Sequence, residues 1–167
     1  MAKVVVTKEA LIGDFLKTKT GDTAKNKALS KKMKKYLSKN PTPQLAAVLQ
    51  ILNIFAYDNN NSDIQKCYEM AVPIFEYLDT VTEFEHIDLE IFARVIHYLA
   101  DFNKTHELFI KALTLLDEKC AIDPSYNGTR TALYFNLTNR ILRAKFYEKD
   151  VDADFWKIHS KWLMNLH

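Results

Sequence analysis

An all-α fold, built as a stack of antiparallel helix hairpins, is what this sequence predicts, and three observations carry that expectation. Three glycines and four prolines in 167 residues are too few for a strand-and-turn architecture or a glycine-rich phosphate loop. Apolar residues recur at steps of three and four through most of the chain. The polar breaks between these segments are short, and short links set neighbouring helices antiparallel. A period of about 40 residues, one hairpin each, can be traced in segment lengths but not in a residue consensus, as in a degenerate repeat solenoid.

The elements follow in order. A short helix is expected over Lys8–Lys17, then a Thr/Gly/Asp break at Thr18–Thr23. A lysine-rich helix runs from about Ala24 to Ser38, with Leu29, Met33, Tyr36 and Leu37 on one apolar face and Lys27, Lys31, Lys34 and Lys35 around the rest. Asn40–Pro41 ends it, because the residue before proline is pushed out of helical geometry. Thr42 can cap the next helix, with Pro43 at its first position, to about Tyr57. After the polar turn DNNNS, Ser62 and Gln65 form a capping-box pair opening a helix to about Thr80, kinked or broken at Pro73. Thr82 and Glu85 repeat that pair for a helix to about Asp101, and Asn103 caps one to about Lys119. A loop with Asp123–Pro124 and Asn127–Gly128 leads to a helix over Thr131–Glu148. Asp150 or Asp152 opens the last, which carries Phe155, Trp156, Trp162 and Leu163.

Charge divides the chain. Residues 1–40 hold eleven lysines against Glu9, Asp14 and Asp22, a net +8, whereas the remainder holds 12 basic and 18 acidic residues, a net −6. The expected organisation is a basic helical arm, 1–40, followed by a single-domain helical-repeat body, 41–167. The most apolar run, AAVLQILNIFAY, is about half the length needed to cross a bilayer and is interrupted by Gln50 and Asn53. The opening MAKVVVTKEAL has too short an apolar run for a secretory signal, and Cys67 and Cys120 lack metal-like spacing and read as buried thiols. A cytoplasmic protein with no membrane partner is the expectation.

Two polar stripes are the candidate sites. Asn136, Asn139, Arg140 and Arg143 fall at i, i+3, i+4 and i+7 of one helix. Leu133, Leu137, Ile141 and Ala144 flank them on one side, and Phe135, Leu142 and Phe146 on the other. Such a stripe lines a groove or forms a solvated edge. Glu83, His86, Glu90, Arg94, His97 and Asp101 make a second stripe, read as a solvated face with pairs such as Glu90–Arg94, or as the opposite wall of a groove. His86 and His97 are too far apart for a two-His metal site, so no metal or cofactor is expected. No nucleophile elbow, glycine-rich loop or H-E-x-x-H is present, and an enzyme is not expected. Lys27, Lys31, Lys34 and Lys35 are candidates for phosphate contacts, although no arginine in the arm is available to read base edges.

The segment YLDTVTEFEHIDLEIFARVIHYL, Tyr77 to Leu99, resembles the most recognisable stretch of the Rgg/MutR family of transcriptional regulators. That family shows a Tyr-Leu pair, a tryptophan six residues on, an acidic residue four further, and an aliphatic–Phe pair; Tyr77–Leu78, Phe84, Asp88 and Ile91–Phe92 occupy those places, with Phe for Trp and Asp for Glu. RTALYFNLTNRI is similar to the family's helical end, and the resemblance spans about residues 43–167. It implies a right-handed, tetratricopeptide-like solenoid that homodimerises and binds a short signalling peptide on its concave face, as in quorum sensing. Asn side chains can satisfy an extended backbone and Arg can fork onto a carboxylate. The expected ligand-binding set is therefore Asn136, Asn139, Arg140 and Arg143, with Arg94 and His97 across the groove. The helix-turn-helix that opens this family has no counterpart in the lysine-rich first forty residues, so DNA binding is not carried over. Alternatives are a nucleic-acid-binding protein acting through the arm, and a pure dimerisation module with Trp156 and Trp162 in its interface.

Overall fold

The computed structural model describes residues 6–61 and 63–147. Among them are seven α-helices and no strand: α1 (Lys8–Lys17), α2 (Thr23–Leu37), α3 (Pro43–Asp58), α4 (Ile64–Thr80), α5 (His86–Val95), α6 (Phe102–Ile122) and α7 (Asn127–Tyr147). Short 3-10 turns, Ile96–Tyr98 and Pro124–Tyr126, follow α5 and precede α7. None of these helices is long and apolar enough to cross a membrane. Ser62 and the C-terminal segment with Phe155, Trp156, Trp162 and Leu163 lie outside the described residues.

Each helix packs on the next in sequence, and α1 on α3, α3 on α5, α5 on α7 and α4 on α6. In addition α1 reaches α5. The apolar α3 is the most enclosed: Leu45, Val48, Ile51, Leu52, Ile54 and Phe55 are all buried, as expected for a helix apolar on most of its surface. The first forty residues do not stand off as an arm. Leu11 and Phe15 of α1 and Leu29 and Met33 of α2 enter the same core cluster as the body, because the apolar face of each helix is removed from water only by packing there. Charge sorts to the outside, and Lys27, Lys31, Lys34 and Lys35 are exposed. Asn26 is buried, and its amide donates to the carbonyls of Lys19 (2.9 Å) and Thr20 (3.2 Å), fixing the break between the first two helices.

Several helix ends differ from the expected ones. Thr42 stands at the N-cap of α3 with Pro43 behind it, but its hydroxyl makes no capping bond. α4 is capped by Asp63, which accepts from the Lys66 N–H at 3.1 Å, and the helix runs through Pro73. The capping position before α5 is Glu85, three residues later than the Thr82 start: Asp88 reaches back to the Glu85 N–H at 3.0 Å and also accepts from Tyr77 and Gln44. Glu83 therefore precedes the helix. α5 stops at Val95, tightens into the 3-10 turn and leaves Leu99 extended, short of Asp101. α6 begins at Phe102, one residue before Asn103, and continues to Ile122. The expected loop at Asn127–Gly128 is the first turn of α7, since Pro124 opens a 3-10 turn and Asp123 accepts from the Ser125 N–H at 2.9 Å.

Candidate functional site

On α7, Leu133, Leu137 and Ile141 bury one flank of the Asn/Arg stripe. On the other flank Phe135 is 66% exposed and Leu142 44%, while the side chain of Phe146 lies outside the described ones. The stripe itself meets α5 and the turn after it. Asn136 donates to the Ala93 carbonyl at 2.8 Å. Arg140 is fully buried, donates through Nε to the Leu99 carbonyl and lies 4.8 Å over the Tyr68 ring. Where the chain leaves the 3-10 turn, Leu99 O loses its helical donor, and a buried guanidinium replaces it. Arg143 donates to His97 Nε2 at 3.0 Å, so that nitrogen presents its lone pair and the imidazole is neutral with its proton on Nδ1. Burial and then the neighbouring Arg143 lower the His97 pKa to about 4.

The α5 stripe is a polar seam and not a solvated face. His86 stacks on Tyr126 at 4.2 Å and meets the Thr129 hydroxyl at 3.0 Å. That hydroxyl, 1% exposed, donates to Glu90 Oε1, while Glu90 Oε2 accepts from Arg94 at 3.1 Å. Arg94 then reaches the carbonyls of Thr18 (3.2 Å) and Leu16 (3.4 Å) and lies 4.3 Å over Phe15, so it closes the C-terminal end of α1. Two of the three arginines proposed as ligand contacts, Arg94 and Arg140, are thus engaged on main-chain carbonyls of this chain, and the third, Arg143, on His97. Their guanidinium forks suit that use as well as they suit a carboxylate.

A cavity of about 250 Å³ brings four of the six expected residues together: Arg94 and His97 on one wall, Asn136 and Asn139 on the other. Arg140 and Arg143 do not line it. Among the described residues Asn139 forms no hydrogen bond, so its half-buried amide faces the cavity with donor and acceptor both open. The sequence does not single out the other lining residues, Thr20, Phe55, Asp58, Tyr98 and Phe135. Phe135 adjoins Asn136, and its spacing from Leu142 marks it only as one flank of the helix. Asp58 accepts from the Tyr98 hydroxyl at 2.8 Å, and burial with that bond raises the Tyr98 phenol above its usual range. The lining is drawn from the loop after α1, from α3, from α5 and its turn, and from α7, with nothing from α2, α4 or α6.

The remaining candidates separate. Lys27, Lys31, Lys34 and Lys35 lie on the open surface of α2; the cleft of about 300 Å³ between α1 and α2 is lined instead by Lys17, Lys25 and Lys32. Lys25 pairs with Asp22 and Lys32 with Asp14, at 3.4 and 3.1 Å. No group of three or more His, Cys, Asp or Glu among the described residues is placed to hold a metal. Cys67 is buried and Cys120 half-buried, and both are free; burial lifts the Cys67 thiol to about 11. No protein-family model, curated protein or solved structure matches the chain.

Proposed function

We propose that this protein is a non-enzymatic, cytoplasmic interaction domain that takes a short peptide, or the extended segment of a partner protein, into the cavity between α5 and α7. The observation that carries the reading is the open amide of Asn139 beside the exposed ring of Phe135, in a cavity whose α-helical lining comes only from odd-numbered helices. In a solenoid of helix hairpins the alternate helices form the inner layer. Packing of α1 on α3, α3 on α5 and α5 on α7, with α1 also touching α5, supports a tightly curved row whose inner layer is odd-numbered. A peptide-sensing regulator of the Rgg type, acting as a homodimer, is the family reading that agrees with this arrangement.

Size sets the ligand class. At about 250 Å³ the cavity is below the 300–1,000 Å³ of ordinary small-molecule sites, which suits one or two inserted side chains with a backbone running past them. An apolar side chain would rest on Phe135 and Phe55, and Asn139 would bond the adjacent backbone amide. The test is selection of a random short-peptide library on the wild-type protein, followed by calorimetric titration of the enriched peptides. Asn139→Ala should cost about 1–3 kcal/mol of binding and Phe135→Ala a similar amount, with stability unchanged. Enriched peptides that bind both variants as tightly as wild type refute the reading.

A nucleic-acid role through Lys27, Lys31, Lys34 and Lys35 is the competing reading, favoured by their exposure on one helix without ion pairs among the described residues. Deleting the first forty residues cannot test it, because α1 and α2 supply core side chains. Replacing the four lysines by glutamine can: weakened, salt-dependent binding to single- or double-stranded DNA supports it, and unchanged binding removes it.

A further inference from the structure

A second cavity, about 370 Å³, opens on the opposite layer, between α4, the segment after the 3-10 turn, and α6. Its wall is apolar and aromatic, formed by Tyr68, Phe75, Tyr98 and Leu108, with Val72 at the opening and 47% exposed. Carboxylates stand at its rim: Glu76 and Asp79, one helical turn apart on α4, and Asp101 across from them. Among the described residues Glu76 and Asp79 form no ion pair or hydrogen bond, and no basic side chain lines the cavity. Unpaired carboxylates repel one another and anions alike.

From this geometry we infer a binding site for a small organic ammonium with a compact apolar body, its hydrocarbon part between Phe75 and Leu108 and its cationic end between Glu76 and Asp79. The volume falls within the range of small-molecule sites, unlike the cavity beside Asn139. Charge complementarity selects the sign of the ligand, and aromatic walls favour a cation over a neutral group of equal size. An anionic ligand of the same shape meets two uncompensated like charges. The site is independent of the peptide reading, since the two cavities share only Tyr98.

The experiment titrates the full-length, isotope-labelled protein with three probes of one skeleton: phenylbutylammonium, phenylbutanol and phenylbutanoate. The ammonium should bind with amide shifts confined to residues around Val72–Asp79 and Tyr98–Asp101, and the carboxylate should bind about tenfold or more weaker. The double variant Glu76→Gln/Asp79→Asn should bring the ammonium to the affinity of the alcohol. Val72→Trp, which fills the mouth from an exposed position, should abolish binding of all three, whereas Phe135→Ala should change none. Equal affinity for the ammonium and the carboxylate, binding that survives Val72→Trp, shifts that map elsewhere, or no binding by any probe overturns the inference.

Discussion

Arg140 and Asn139 are neighbours on α7 with opposite expected roles, and replacing each by alanine separates a helix-end cap from a ligand contact. Arg140 is fully buried, bonds the Leu99 carbonyl and lies over the Tyr68 ring, so Arg140→Ala removes all of these at once. A hydrogen bond to a charged donor contributes about 1.5–3 kcal/mol, and a desolvated cation–π contact up to about 2 kcal/mol. These terms overlap, and the truncation also leaves Leu99 O without its donor and a space where the guanidinium was, which sets the expected loss at about 3–5 kcal/mol. In urea denaturation followed by circular dichroism, a slope of about 2 kcal/mol per molar converts that loss into a midpoint lowered by about 1.5–2.5 M. Asn139→Ala, whose side chain has no partner among the described residues, should stay within about 0.5 kcal/mol of wild type. A loss below about 1 kcal/mol for Arg140→Ala, with unchanged slope, would refute the capping role and return Arg140 to the list of ligand contacts.

Core and open flanks of α7 should respond differently: Leu137→Ala, at a buried position, should cost about 2–5 kcal/mol of stability, and Phe135→Ala, two residues away and exposed, less than about 0.5, both read by thermal or urea unfolding. His97, held neutral with its pKa near 4, refuses a proton that the unfolded chain accepts below about pH 6.5. The unfolded state then binds more protons, so stability falls as pH drops from about 6.5 toward 4, and His97→Gln should flatten that part of the profile. Imidazole NMR shifts that titrate near 6.5 in the folded protein would contradict the assignment. With a thiol reagent at neutral pH, Cys120 should react in the native protein and Cys67 only on unfolding, because Cys67 is buried and its thiol is raised to about 11.

Local chemistry was the legible part. The bounds of α1, Lys8–Lys17, follow from the polar break behind it, and the apolar face of α2 is the one that packs. Helix ends set by competition were not: an S/T-x-x-E pattern fits Thr82–Glu85, but Asp88 binds Glu85 N–H while also holding Tyr77 and Gln44 from two other helices. The Glu90–Arg94 pair was legible from its i, i+4 spacing, but the other partners of Arg94 and the acceptor of Arg140 were hidden. They are backbone carbonyls of Leu16, Thr18 and Leu99, and a carbonyl carries no residue code. Periodicity marks two apolar flanks on α7 without saying that Phe135 and Leu142 on one of them stay exposed, which is why Phe135 escaped notice as a cavity residue. Net charge misled about the first forty residues, because charge reports on solvation and association while packing is decided by Leu11, Phe15, Leu29 and Met33.

The seam of His86, Thr129 and Glu90 places a hydroxyl between an imidazole and a carboxylate, the components of a nucleophile and its base, and Thr129 therefore needs its own test. Its proton goes to Glu90 Oε1, so the imidazole nitrogen 3.0 Å away must be the donor to the hydroxyl oxygen and has no lone pair to accept that proton. The hydroxyl is also 1% exposed and lines neither cavity between the helices. As a structural tie, Thr129 fixes how α7 sits along α5, and its isosteric replacement isolates that role. Thr129→Val keeps the shape but leaves His86 Nε2 and Glu90 Oε1 without a partner, at a cost of about 1–3 kcal/mol, whereas Thr129→Ser should recover all but about 1 kcal/mol by keeping the hydroxyl. Amide exchange should accelerate across the α5–α7 contact in the valine variant and not in serine. A valine variant as stable as wild type would mean that the seam does not hold the two helices together, and the hydroxyl would then have to be examined as a reactive group.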